Sequence, residues 1–164
     1  MSLSLCRKYA ELELMHIQLE IKYNRYHHLR HFVDPYYCYC KGIIKRTGRA
    51  NVEGVIWKGI VSVAAKLEVD RKNVVKEHVV PLKVIETKLR ELNAEGKNTL
   101  DNIANTLEEL THFGTITKEE DEKLRQAGLG SAMPHGFFQE GHPYYKDILA
   151  RYKEAEIELE KLPT

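Results

Sequence analysis

No run of apolar residues in this 164-residue chain approaches the roughly 20 needed to cross a bilayer, and the charges at Arg7 and Lys8 are not followed by an apolar block. The expectation is therefore a chain with neither a membrane span nor a signal peptide, working in the cytoplasm. Cysteine is scarce and odd in number, at Cys6, Cys38 and Cys40. That argues against a disulfide framework and for reduced thiols or a metal site. Internal repeats, a P-loop, a dinucleotide-binding glycine pattern, a nucleophile elbow and an HExxH motif are all missing from the sequence, so the nucleotide, hydrolase and zincin chemistries they carry have no foothold. Between Ile21 and Val52 acid is nearly lacking: Asp34 stands alone against Lys22, Arg25, Arg30, Lys41, Lys45, Arg46 and Arg49.

What is present is mostly helical in pattern. Proline and glycine are absent from Leu3 to about His31, where Leu5, Leu12, Leu19 and Tyr26 recur every seven residues, with Tyr9 and Tyr23 four positions after members of that series. The spacing predicts one long helix over 1–31. Leu14, Ile17 and Ile21 add a second apolar edge, so the greasy face needs cover on both sides, and a homodimer through this N-terminal helix would supply it. Asp34-Pro35 is expected to stop the helix, opening a connection over 32–51 that is basic and rich in Tyr, Cys and His. Gly42 and Gly48 bracket a short piece, IIKR, that reads as turn or brief strand.

Beyond Asn51 a helical bundle is expected over 52–164. Val52, Val55, Ile56, Ile60, Val63, Ala64 and Leu67 keep a helical period across Gly54 and Gly59. In Asp70–Leu92, His78, Leu82, Ile85, Leu89 and Leu92 line one face, with Pro81 forcing a kink or a fresh helix start. Thr99 or Asn98 can cap a helix through Leu100, Ile103, Leu107 and Leu110 that Gly114 would end. Thr117 with Glu120 forms a capping-box pattern for an acidic-starting helix closing at Gly128. Gly130–Pro143 has no periodicity, and a last helix follows Pro143. Together these readings predict a single all-α domain over 1–164, with five or six helices around one core.

Two chemistries fit the 32–51 block and its approach. His27 and His31, one helical turn apart, with Cys38 and Cys40 on a following loop, would complete a tetrahedral nitrogen and sulfur set of the kind that holds zinc. Alternatively, Tyr36, Tyr37 and Tyr39 offer stacking faces while Arg25, Arg30, Lys41, Lys45, Arg46 and Arg49 neutralise phosphates, a mixture suited to RNA or single-stranded DNA. A third reading needs neither: the tyrosines pack beneath a loop and the cations are solvated, as in a helical scaffold or regulatory subunit.

A separate candidate lies at Glu77-His78-Val79-Val80-Pro81. The order resembles the first half of the active-site motif of HNH-family nucleases, an acidic residue before a histidine and a short apolar-Pro segment after it. The resemblance implies a metal-dependent nuclease in which His78, at the end of a strand, activates water beside Glu77 and a divalent ion, with Asn93 and Asn102 at about the family's later positions. Against it stands an ordinary core histidine satisfied by its neighbours.

Overall fold

The computed structural model describes residues 3–161. In chain order its helices are α1 (Leu3–Lys22), α2 (Arg30–Cys40), α3 (Val63–Leu67), α4 (Leu82–Ala94), α5 (Leu100–Leu110), α6 (Lys118–Gln126) and α7 (Ala150–Glu154), and its strands are β1 (Ile60–Ser62), β2 (Val74–His78), β3 (Phe113–Thr117) and β4 (Leu159–Lys161). The strands form one mixed sheet in the order β2-β3-β1-β4. The all-α expectation is thereby overturned, since the sheet occupies the region read as a helical bundle.

The reason lies in two short β-branched segments. Val74 and Val75 open β2, and Thr115, Ile116 and Thr117 close β3; they pair antiparallel with Val75 opposite Ile116 and His78 opposite Phe113. β-branched side chains suit a pleated, half-buried surface, and a short apolar run cannot be assigned to helix or strand by periodicity alone. Pro81 settled the helical half, because α4 starts afresh at Leu82. The step from His78 to Leu82 therefore joined a strand end to a helix start. Gly114, expected to end a helix, sits inside β3 and pairs with Ile60 of the parallel neighbour β1.

The chain divides into two compact units, one of residues Met1–Val55 with Ile85–Thr111, the other of Ile56–Val84 with His112–Thr164. In the first, the expected long helix is broken. α1 ends at Lys22 because Asn24 adopts φ 58°, and the amides of Asn24 and Arg25 bond back to the carbonyls of Ile21 (3.1 Å) and Glu20 (2.9 Å). This is a Schellman stop with asparagine in the left-handed position usually held by glycine. The chain then enters α2, which runs through Pro35 instead of stopping there. Pro35 has no amide to give the His31 carbonyl one turn back, and burial of Leu29, Val33 and Cys38 outweighs that loss. Ile17, Ile21, Leu89, Ile103 and Leu107 of the same unit are buried as well.

In the second unit, Val79, Ile116, Leu124, Leu129, Tyr152, Ala155 and Ile157 form a core over the sheet, and Val61, Ala65 and Val74 a smaller one against Trp57. The predicted capping box is present: Thr117 accepts from the Glu120 amide, and Glu120 accepts from the Thr117 amide at 2.8 Å.

Candidate nucleic-acid interface

The basic block is a hairpin-like turn in the first unit. From the end of α2 the Ile43 amide bonds the Cys38 carbonyl (2.8 Å), the Lys45 amide the Arg49 carbonyl (2.8 Å), and the Asn51 amide the Ile43 carbonyl (2.9 Å). Ile44 bridges Ala50 antiparallel. Gly42 (φ 66°) and Gly48 (φ 85°) take the left-handed conformations that turn the chain. The backbone is thus tied down while Lys41, Lys45, Arg46 and Arg49 remain exposed. None of the four forms a salt bridge among the described residues. Arg25 and Arg30 are different: Arg25 pairs with Glu20 at 3.4 Å and Arg30 with Asp34 at 3.9 Å, so the six cations predicted for nucleic acid divide into four outside any salt bridge among the described residues and two locally neutralised.

The tyrosines are half-buried. Tyr39 accepts a hydrogen bond from the Ala50 amide (3.3 Å), fixing it to the hairpin, and its ring lies 5.2 Å from that of Tyr9 on α1. Burial raises the Tyr36 hydroxyl far above its ordinary value, with Cys40 and Glu108 adding to the effect, and burial with Cys38 raises Tyr37. Both stay neutral at any physiological pH. Tyr36 and Tyr37 sit half-buried on α2, and Tyr39 is the tyrosine tied to the hairpin that carries the cations.

The four residues predicted for zinc are arranged differently from the sequence reading. His27 lies in the turn before α2 and not on one helix with His31; its ring stacks on His28 at 4.1 Å. Cys38 and Cys40 lie on α2 and not on a loop, and two positions along a helix is over half a turn, so Cys38 is buried and Cys40 exposed. Desolvation holds the Cys40 thiol above its ordinary value, against a bond from Tyr36 and the Lys41 charge. Among the described residues no three His, Cys, Asp or Glu side chains gather as a metal site would need.

Glu77 and His78 belong to the second unit. His78 does end a strand, as the HNH resemblance implies, and it is buried with its ring 4.6 Å from Phe113. The Glu77 carboxylate, however, faces inward. One oxygen accepts from Arg151 at 2.7 Å and the other from the Tyr152 hydroxyl. Arg151, only 1% exposed, also donates to the carbonyls of Val79 (2.8 Å), Leu129 (3.1 Å) and His78 (2.6 Å). Burial raises the Glu77 carboxyl above its usual range, opposed by Arg151 and the Tyr152 bond. The Tyr152 hydroxyl is raised well above its own, by burial first and the Glu77 charge next. Sequence reasoning missed Arg151, since its carbonyl and carboxylate partners are 22 to 74 residues away and a helical arginine is ordinarily solvated. The asparagines the resemblance would add are engaged elsewhere, in the first unit. Asn93 donates towards Asn24 and Tyr26 and accepts from Asn98 at 2.8 Å, and Asn102 donates to the Lys97 carbonyl at 2.9 Å.

No helix among the described residues is long and apolar enough to cross a membrane. Comparison with protein-family models, with curated proteins and with solved structures finds no match for this chain.

Proposed function

We propose that the chain binds single-stranded nucleic acid through the 41–49 turn. The observation that carries this reading is the set Lys41, Lys45, Arg46 and Arg49, exposed and outside any salt bridge among the described residues, on a backbone held by its own hydrogen bonds. Phosphates recruit cations of this kind by releasing condensed counterions. The turn's fixed geometry lowers the ordering cost of presenting them. Half-buried Tyr39, held by the Ala50 amide, supplies a ring edge for a base beside the cations, and stacking of that kind tolerates any sequence.

Four phosphate contacts predict a slope of log affinity against log salt of about −3 for a single strand. Arg46→Ala with Arg49→Ala should remove about half of that slope and weaken binding most at low salt. Fluorescence anisotropy of a labelled single-stranded oligonucleotide at about 50 and about 200 mM salt reads both quantities. Affinity unchanged by the double substitution, or indifferent to salt, would overturn the reading in favour of a scaffold with solvated cations.

A further inference from the structure

Four large apolar side chains on α1, Tyr9, Leu12, Met15 and Leu19, and Tyr23 in the turn just after it are exposed between 37% and 66%. They are successive members of one face, at steps of three, three, four and four, and extend about 21 Å at 1.5 Å per residue. The opposite face of the same helix, with Ala10, Leu14, Ile17 and Ile21, is buried. At about 200 Å² for a side chain of this size, the exposures leave roughly 500 Å² of apolar side chain facing outward. That is near the upper end for the largest patch on a monomer. With the bordering stems of Lys8, Glu11 and Lys22 it reaches the roughly 600 Å² per partner at which specific interfaces begin.

We infer that a second copy of this chain covers the stripe, with the two α1 helices antiparallel about a two-fold axis near Met15 and His16. The order of the side chains carries the choice of partner. Tyr, Leu, Met, Leu, Tyr reads nearly the same in both directions, so reversal about residues 15 and 16 sets Tyr9 against Tyr23, Leu12 against Leu19 and Met15 beside its own copy. A two-fold interface demands this self-complementarity, residue i meeting j while j meets i. Charge agrees. Glu11 and Lys22 stand eleven residues apart, close to three helical turns, on one edge of the stripe. Antiparallel packing brings Glu11 of each chain, which pairs with Arg7 of its own helix at 3.5 Å, within about a residue of Lys22 of the other, giving two symmetric charge contacts. This inference does not rest on the nucleic-acid reading.

Light scattering and sedimentation of the full chain over a wide range of concentration test it. The expected mass is twice that of one chain. Leu12→Asp with Leu19→Asp should weaken association on the order of a hundredfold or more, each position being met twice, with circular dichroism unchanged because both residues are exposed and with melting lowered only at concentrations where the parent is dimeric. Glu11→Lys alone should weaken the dimer by roughly threefold to tenfold, and adding Lys22→Glu should restore it. A monomer at every concentration, or a dimer that survives the double aspartate substitution, overturns the second-copy assignment. A charge swap that fails to restore association overturns the antiparallel setting.

Discussion

Arg151 is the residue whose removal should be felt most. Arg151→Met keeps an unbranched side chain of similar reach but deletes every donor, leaving the carbonyls of Val79, Leu129 and His78 and one Glu77 oxygen without the partner they have now. A buried acceptor left unsatisfied costs about 1 to 3 kcal/mol, and breaking a buried ion pair about 3 to 5 kcal/mol. Because relaxation and water recover part of this, the expected loss at pH 8 is about 4 kcal/mol. Glu77 gives that loss a pH dependence. Its folded-state carboxyl is already raised, with Arg151 as the main opposing influence, so deleting Arg151 raises it further. A group raised on folding contributes stability that is fully present below its unfolded value and lost as pH rises through the folded one. The decline should therefore extend to higher pH in the variant than in the parent, and the difference between them should shrink to about 2 kcal/mol at low pH, where Glu77 is protonated in both and only the main-chain acceptors are missing. Urea unfolding followed by the fluorescence of Trp57, the single tryptophan and part of the same unit, is the assay. At a slope of about 2 kcal/mol per molar, the midpoint should fall by about 2 M at pH 8. A shift equivalent to less than about 1 kcal/mol, or one that does not diminish in acid, would refute the claim that this cluster is a buried ionic tie.

Thr117→Ala should cost about 1 kcal/mol by removing the side-chain half of the capping box on α6, read from the same unfolding curves. In a plasmid-nicking assay with added divalent metal, the parent chain should show no His78-dependent cleavage, since the neighbouring Glu77 carboxylate is held by Arg151 and Tyr152; nicking that disappears in His78→Ala would reinstate the nuclease reading.

The sequence by itself determined the features written in near neighbours. The Thr117–Glu120 capping box, the Thr99 cap on α5 and the fresh helix start after Pro81 each depend on residues a few positions apart. The break at Asn24 was also local, and attention to asparagine as a left-handed stop would have found it. Tertiary structure alone decided the rest. Val74–His78 is a strand because Phe113–Thr117, some 35 to 43 residues on in register, supplies its hydrogen bonds, and an isolated β-branched run carries no record of its partner. Pro35 stays inside α2 because buried neighbours outweigh one lost bond. Glu77 meets its counter-charge through an arginine 74 residues away. Pairing and burial are properties of distant segments brought together, and no local pattern encodes which segments those will be.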